Sequence, residues 1–579
     1  MSNNPFNHSH FIGYINQVTP QYVKVHFPSS VLMKSFTFYG EELKGGLVGN
    51  YVVIEGEKYG FLGKILELSL PEKERLELSE KSFNTKEFHP TGKIEILLSF
   101  ELFEPSNIDK GLNSLPMIGA KVFICSSEFI KGYFKGFGVK KEHIGTAPVI
   151  ELGRLTYDKS TIVELSQQAI FGRHCAVVGT TGGGKSYTVS KLLEALKFNN
   201  SKSILIDATG EYSTLDDDPK VSNTVIALSS FFPYSKLTIG DLFVLFRPSG
   251  QVQQPILLEA IKSLKIAHCL LRDKDKFPHT IAEQRVTFKI KDKDLIIENG
   301  CVVKSGSETR PFNNAHYIYK TEIEDDNSSF FDINKLSQQI INECYQINGD
   351  RWQTFQDARN FGNSTSLIMR INNTINDTDF KKMFGFNPIA DEVDIIEMIE
   401  NFLKDNDKCI LRIGFENVPF NFQSREILAN AIGKYLLNKS RIGTFKEKPL
   451  VLFIDEAHQF LNKKVKDEYF ESTELNSFDS IAKECRKYGL FLCIATQMPR
   501  DIPNGTLSQI GTFIAHRLIN HQDKEAIANA CSSANRDTLA FLPVLGSGEA
   551  ILMGVDFPMP VMLKVEMPII KPKSDTPLF

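Results

Sequence analysis

The sequence contains no long apolar run, and this is the first of several absences that limit what the chain can be. No stretch of about 18 consecutive apolar residues occurs, so no transmembrane helix is expected. Residues 1–10 are polar and lack the apolar core of a secretory signal. The nine cysteines are scattered without a C-x-x-C pair, which argues against a disulfide framework or a zinc site. Together these absences predict a cytoplasmic protein with free thiols and no membrane contact.

An excess of positive charge is also missing, because 66 lysines and arginines face 70 aspartates and glutamates. The net charge of −4 gives no support for nucleic-acid binding, so any contact with DNA must come from a local patch. With 42% hydrophobic residues the composition is that of an ordinary globular chain. At 579 residues, the length predicts roughly three or four domains.

Residues 179–186 read GTTGGGKS and match the phosphate-binding pattern G-x-x-x-x-G-K-[ST] at every fixed position. An apolar run precedes them and an apolar-periodic segment follows, which is the strand, loop and helix context that this motif requires. Glycines allow successive backbone N–H groups to face one anion, and the helix N-terminus adds its positive dipole end. A glycine-rich turn before an ordinary helix is the alternative. We expect a nucleoside triphosphate to be bound by Gly179, Thr180, Thr181, Gly182, Gly183, Gly184, Lys185, Ser186 and Tyr187.

An acidic pair, Asp455 and Glu456, follows the apolar run 450–454. In such a pair the aspartate can hold Mg²⁺ with Ser186, while the glutamate orients or deprotonates the attacking water. Gln497 ends the next predicted strand and could sense the γ-phosphate or that water, although a plain strand-end turn residue is the alternative. Combined with the phosphate loop, the acidic pair predicts ATP hydrolysis rather than ATP binding alone.

Three further positions carry two interpretations each. Phosphoryl transfer often uses an arginine from a neighbouring subunit, and Arg486 and Arg173 are the candidates. For either one, a solvated surface arginine is the alternative and the more common case. Asp207 ends the predicted strand 203–207, where α/β sheets bind ligands, but an aspartate there can also cap a helix.

The pattern of strands and helices predicts an α/β protein with a RecA-like P-loop NTPase core. Short, closely spaced strands at the N-terminus predict a small β-barrel, with a β-sandwich as the alternative. Because Asp455 lies 270 positions after Lys185, we expect a mainly helical insertion in the core. The expected domains are a barrel over 1–150, the core over 151–255 and 406–565, the insertion over 256–405 and a C-terminal tail over 566–579.

Taken together, these motifs resemble the HerA branch of the HerA–FtsK ATPases. The resemblance rests on the order and spacing of the pieces ELGRL (151–155), RH (173–174), GTTGGGKS (179–186), IDATGEY (206–212), FIDEAH (453–458), AKECRKYGL (482–490), ATQMP (495–499) and GEA (548–550). The 256–405 insertion is long and poorly matched, and the tail after Pro568 is short.

The resemblance implies a homo-hexameric ring that moves double-stranded DNA through its channel with ATP and Mg²⁺. It further implies that the barrel docks a nuclease or a sirtuin-like effector, in some bacteria for antiphage defence, and that the tail braces the neighbouring subunit. By motif position, Glu456, Gln497, Arg486 and Arg173 become catalytic residues, and Ser186 and Asp455 become Mg²⁺ ligands.

Three other interpretations compete with this one. Residues 455–458 spell the DEAH box of another helicase superfamily, whose acidic motif normally lies much closer to the phosphate loop. A secretion or conjugation ATPase of the same superfamily would be expected to contact membrane-embedded parts, and no membrane segment is visible. Finally, the ring could be a scaffold that assembles and activates a partner effector, with ATP as a regulatory ligand rather than a fuel.

Overall fold

The computed structural model describes most of the chain and divides it into two compact units. The first unit consists of residues 1–203, 449–458 and 490–579, and the second of residues 204–448 and 459–489. The described residues are 5–20, 22–30, 35–38, 41–44, 47–76, 88–102, 108–109, 114–139, 146–156, 158–325, 329–387, 392–420, 423–461, 463–465, 473–531, 536–557 and 559–574.

The first unit begins with a small closed β-barrel, which confirms the prediction made from the short N-terminal strands. Its six strands pair in the order Tyr22–His26, Phe11–Val18, Lys121–Ile124, Tyr51–Ile54, Tyr59–Ser69 and Thr91–Glu101, and the last pairs with the first. Period-two alternation sends Val23, Val25 and Ile94 into a fully buried interior. Around the barrel lie the helices His8–His10, Glu72–Leu76 and Ser127–Gly136 and the strands Ser35–Phe38, Glu41–Lys44 and Ile108–Asp109.

The rest of the first unit is built on eight neighbouring strands of a mixed sheet. In spatial order they are Ile162–Ser166, Val149–Leu155, Val561–Val565, Glu549–Gly554, Thr512–Ala515, Cys175–Val178, Leu490–Thr496 and Leu450–Ile454. The last four are mutually parallel, and the first four pair antiparallel. Every residue of Cys175–Val178 and Leu450–Ile454 is buried, as expected for the continuous apolar runs of a parallel sheet.

The helical elements of this unit connect those strands. They are Gln167–Phe171, Lys185–Phe198, Pro499–Asp501, Asn504–Leu507, His521–Ala530, Arg536–Ala540 and Leu542–Val544. Among the helices that the structure describes, none is long and apolar enough to cross a bilayer.

The second unit contains three further strands, in the order Lys202–Asp207 (from residue 204 on), Ile410–Gly414 and Val221–Val225. Its α-helices are Ile239–Phe246, Gln253–Arg272, Thr309–Ile318, Lys320–Ile323, Leu336–Glu343, Ala358–Asn376, Thr378–Phe384, Ile395–Lys404, Ser424–Arg441 and Ser477–Glu484. Short strand pairs join Ser230–Phe231 to Val393–Asp394, Ile347–Asn348 to Arg351–Trp352, and Lys463–Val465 to Thr473–Leu475.

Residues 256–405 combine most of these helices with a small sheet of their own. Four antiparallel strands follow in the order His279–Ala282, Arg285–Ile290, Lys293–Glu298 and Cys301–Val302. The sheet and the helices share a core that includes Phe288, Leu295 and Phe312. The segment therefore has an apolar core of its own.

Candidate nucleotide site

Three predicted site elements meet at one edge of the parallel strands of the first unit. The strand Cys175–Val178 leads into the loop 179–184, Leu450–Ile454 leads into Asp455, and Leu490–Thr496 leads into Gln497. Val178 lies opposite Thr496, and Ile454 lies opposite Ile494. Because parallel strands end at the same edge, their registers bring the loop, the acidic pair and the glutamine together.

Backbone hydrogen bonds hold the loop in a folded conformation. The Thr180 N–H donates to the Arg517 carbonyl at 2.9 Å, and the Gly183 N–H donates to the Thr180 carbonyl at 3.1 Å. The Gly548 N–H donates to the Gly183 carbonyl at 3.1 Å. The loop is therefore braced both from within and by residues far away in the sequence.

Gly184 makes the transition from this loop to the helix Lys185–Phe198. It is the N-cap in a left-handed conformation, with φ of 113°, and a Cβ there would lie 3.0 Å from the Gly548 Cα. Because glycine offers no side chain to cap the helix, the positive end of the helix dipole faces the loop without a capping side chain from Gly184. This arrangement fits the phosphate groups of a nucleotide.

Glu456 is linked to the loop through Gln497. The Gln497 amide nitrogen donates to Glu456 Oε1 at 2.5 Å, and the Thr181 hydroxyl donates to Gln497 Oε1 at 2.5 Å. On the other side, His458 Nδ1 lies 3.2 Å from Glu456 Oε2 and 3.2 Å from Thr496 Oγ1. Hydrogen bonds therefore connect Thr181 in the loop, through Gln497, to the buried carboxylate of Glu456.

The pKa of Glu456 is set by opposing effects. Burial alone raises the pKa, but the hydrogen bonds from His458 and Gln497 and the positive charge of Lys185 outweigh it, so the net pKa lies below its usual value. Glu456 is therefore ionised at neutral pH, and it can accept a hydrogen bond from a water molecule.

The expected metal ligands lie in the same unit. Asp455 is buried directly after its strand, and Ser186 is half-buried in the first turn of the helix. A carboxylate and a hydroxyl are the oxygen ligands that Mg²⁺ takes beside phosphates. Tyr187, the last predicted nucleotide residue, is half-buried beside Ser186.

The two candidate arginines belong to different units. Arg173 is half-buried in the first unit, where its Nε lies 3.0 Å from Asp556 Oδ2. Arg486 is exposed in the 3-10 turn Cys485–Tyr488 of the second unit. Neither position decides whether an arginine acts on a neighbouring subunit, so their roles stay predictions.

Asp207 caps the turn that follows its strand rather than a helix. Its carboxylate accepts from the Gly210 N–H at 2.8 Å and the Tyr212 N–H at 3.1 Å, and it is paired with the Arg412 Nε at 2.7 Å. Arg412 and Asp207 are both fully buried, so the pair fixes the turn that follows the strand.

Four further residues contact this site or its loop: the sequence analysis named His458 and Gly548 only within motifs and gave them no role, and it missed His516 and Thr188. His458 lies two residues after Glu456, and that proximity was the one available signal. His516 and Gly548 meet the loop only through the fold, because they adjoin strands more than 300 residues after the loop, and Thr188 is joined to His516 in the same way.

The strand, loop and helix geometry with a buried acidic pair at the same sheet edge defines a P-loop ATPase. A family model described as the central domain of helicase HerA matches residues 150–418, and one described as helicase HerA-like C-terminal matches residues 440–576. These two models cover more than two thirds of the chain. The chain belongs to the HerA family and is an ATP-hydrolysing enzyme.

Curated relatives and a solved structure are also similar to this chain. A probable helicase of Methanocaldococcus jannaschii is 26% identical over 72% of this chain and 70% of its own length. A probable DNA double-strand break repair helicase HerA of the same organism is 23% identical over 78% of this chain and 82% of its own. The bacterial conjugative coupling protein TrwB is 12% identical over 78% of this chain and 94% of its own, with a TM-score of 0.44.

Proposed function

We propose that this chain is an ATP-driven translocase or helicase of double-stranded DNA. The observation that carries the proposal is the hydrogen-bonded chain from Thr181 through Gln497 to Glu456, because it links the nucleotide loop to a carboxylate suited to orient water. The link to DNA is supported by the two relatives reported above, one named as a probable helicase and the other as a probable DNA double-strand break repair helicase.

In the proposed reaction the loop and Lys185 hold the β- and γ-phosphates of ATP. Glu456 orients a water molecule toward the γ-phosphorus and accepts its proton as the bond to ADP breaks. Gln497 keeps the Glu456 carboxylate at the required position and exchanges its contact with Thr181 for one with the γ-phosphate. Ser186 and Asp455 would hold Mg²⁺, which neutralises phosphate charge when bound.

The working form in this proposal is a homo-hexameric ring around DNA. Arg173 or Arg486 would then supply positive charge to the ATP site of a neighbouring subunit. The barrel over residues 1–150 would dock a nuclease or a sirtuin-like effector, and the tail over 566–579 would brace the next subunit. A role in antiviral defence would follow from such a partner.

The test is ATP hydrolysis by the purified chain with and without linear duplex DNA. We expect DNA to stimulate turnover, and we expect Lys185→Ala and Glu456→Gln to abolish the stimulated activity. Glu525→Gln is the matched control for the second variant, since Glu525 is an exposed glutamate on the helix His521–Ala530.

Two results would contradict the proposal in different ways. Turnover that ignores DNA and needs a co-purified effector would leave an ATP-gated scaffold in place of a translocase. Stimulated turnover that persists in Glu456→Gln would remove Glu456 from the reaction.

A further inference from the structure

His516 lies directly behind the phosphate loop. It follows the strand Thr512–Ala515 and is completely buried. A Cβ added to Gly179 would lie 2.6 Å from the His516 Cβ, and one added to Gly184 would lie 3.3 Å from the His516 Cε1. The imidazole side chain therefore packs against both ends of the loop, in space that the two glycines leave open.

Two hydrogen bonds fix the ring and its tautomer. His516 Nδ1 lies 2.8 Å from the Glu549 carbonyl oxygen, and Nε2 lies 2.8 Å from the Thr188 hydroxyl. A carbonyl oxygen can only accept, so Nδ1 carries the hydrogen and Nε2 accepts from Thr188. Burial lowers the pKa of His516 to about 4, and the charge of Lys185 acts in the same direction, so the ring is neutral at neutral pH.

The neighbours of His516 contact the loop from the same side. The Arg517 carbonyl accepts from both the N–H and the hydroxyl of Thr180, at 2.9 and 3.1 Å. Gly548 donates to the Gly183 carbonyl, one residue before the Glu549 carbonyl that holds the ring. We call His516, Arg517, Gly548 and Glu549 the rear wall of the loop.

We propose that His516 is a positioning residue for the nucleotide, because it ties the phosphate-loop helix at Thr188 to the rear wall at Glu549. The proposal rests on nucleotide binding at this loop. His516 contacts the rear of the loop rather than the reacting atoms. Its loss should therefore weaken the affinity for nucleotide and leave the chemical step nearly unchanged.

Thr188 offers a matched pair of variants that avoids emptying the core. Thr188→Val keeps the shape of the side chain and removes the hydroxyl, whereas Thr188→Ser keeps the hydroxyl. In Thr188→Val the dissociation constant for a fluorescent ADP analogue and the KM for ATP should rise about tenfold, as expected for one buried acceptor left unsatisfied. In Thr188→Ser both should stay within about twofold, and kcat at saturating ATP should change by less than about twofold in either variant.

A second variant tests the same contact from the other side. His516→Asn retains an N–H that can reach the Glu549 carbonyl but removes Nε2, so it should weaken nucleotide binding like Thr188→Val. The double variant should then be no weaker than either single one, because both remove the same hydrogen bond.

Several outcomes would overturn this inference. A Thr188→Val protein that melts at a lower temperature but binds nucleotide normally would show that the contact only supports packing. Additive losses in the double variant would show that the two side chains act independently. If the unmodified chain binds no nucleotide and Lys185→Ala changes nothing, the nucleotide site itself fails, which is a distinct result.

Discussion

At the scale of single residues, the position of Glu456 depends on a conformation that its own sequence disfavours. Its φ is 45°, in the left-handed region that side chains other than glycine rarely adopt. Such strain persists where surrounding contacts over-determine it, and here Gln497 and His458 hold the carboxylate from two sides. Because its pKa is lowered, Glu456 is ionised before the reaction, so its carboxylate can orient the water molecule and take its proton as the water attacks.

Replacement of Gln497 tests that view. Gln497→Ala should lower kcat by about 100-fold, the size of effect seen when a positioned proton-transfer group is lost. The affinity for an ADP analogue should change little, because ADP has no γ-phosphate for Gln497 to contact and the loop keeps its backbone hydrogen bonds to Arg517 and Gly548. Steady-state ATP hydrolysis and fluorescent nucleotide binding measure the two effects, with Gln522→Ala as the control at an exposed glutamine. An equal loss in both quantities would place Gln497 in binding.

His516 also predicts how stability depends on pH. Its pKa is about 4 in the folded chain and 6.5 as the unperturbed value, so below pH 6.5 the unfolded state binds more protons. Above pH 6.5 the neutral His516 ring makes its full contribution to the free energy of unfolding, and this contribution is lost as the pH falls toward 4. Between about pH 7 and pH 5 the loss should be roughly 2 kcal/mol.

Urea unfolding of the wild type and His516→Asn at these two pH values measures this contribution. The variant should lose less stability on acidification, since it has no imidazole to protonate. Equal losses in the two proteins would assign the acid sensitivity to other groups.

Glu456 and His516 show which residue positions the sequence could predict and which it could not. The placement of Glu456 could be predicted because an apolar run and the acidic pair are adjacent in the chain. His516 is joined to Thr188 across more than 300 residues, and no local pattern reports such a contact. The capping role of Asp207 was open for the same reason, because its partner Arg412 comes from another strand.

At the scale of elements, the close packing of two helices in the second unit depends on one glycine. Gly433 lies within Ser424–Arg441, and a Cβ there would lie 2.4 Å from the Ser477 Oγ and 3.0 Å from the Phe478 Cε1. Both neighbours are buried and belong to Ser477–Glu484, so little room exists for them to move. This close approach of the two helices explains why a glycine stands at position 433, although a glycine within a helix otherwise lowers the stability of that helix.

Gly433→Ala should therefore destabilise the chain by about 1–3 kcal/mol, because overpacking outweighs the gain in helix propensity. The matched control is Gly132→Ala in the helix Ser127–Gly136, where nothing lies within 4 Å of the added Cβ. This change should stabilise its helix by about 0.5–1 kcal/mol. Thermal unfolding and hydrogen exchange of the two helices give the comparison, and a stabilised Gly433→Ala protein would contradict the packing argument.

Sequence pattern identified most elements and missed how some of them pair. The parallel strands Cys175–Val178 and Leu450–Ile454 are continuous apolar runs, and the sequence predicted both. For residues 256–405 the sequence predicted a mainly helical insertion, and the small sheet over 279–302 was not predicted, because its register depends on a core shared with helices before and after it. The antiparallel pairing of Val149–Leu155 with Val561–Val565 joins distant segments, and local propensity does not encode it.

At the scale of the whole molecule, each ATP site of the proposed ring would take catalytic residues from two neighbouring subunits, whereas a single subunit can supply only its own. Lys185, Glu456 and Gln497 lie in one unit of one chain, and the last two are hydrogen-bonded. Arg486 belongs to the other unit and is exposed at a helix end. A group on the surface is available to a neighbouring subunit, and this is the property that an arginine acting in trans requires.

Rings assembled from two different variants can show whether a residue acts in the ATP site of its own subunit or in that of a neighbour. Lys185→Ala and Arg486→Ala subunits should each be inactive alone, but an equal mixture should regain activity at about a quarter of its sites, where an intact Lys185 faces a neighbour's intact Arg486. A mixture of Lys185→Ala with Glu456→Gln should regain none, because those two residues serve the same subunit's site. Lys487→Ala, at the exposed neighbouring position, should keep full activity. If the first mixture stays as inactive as its components, Arg486 does not act across a subunit boundary, and the same experiment with Arg173→Ala then tests the remaining candidate.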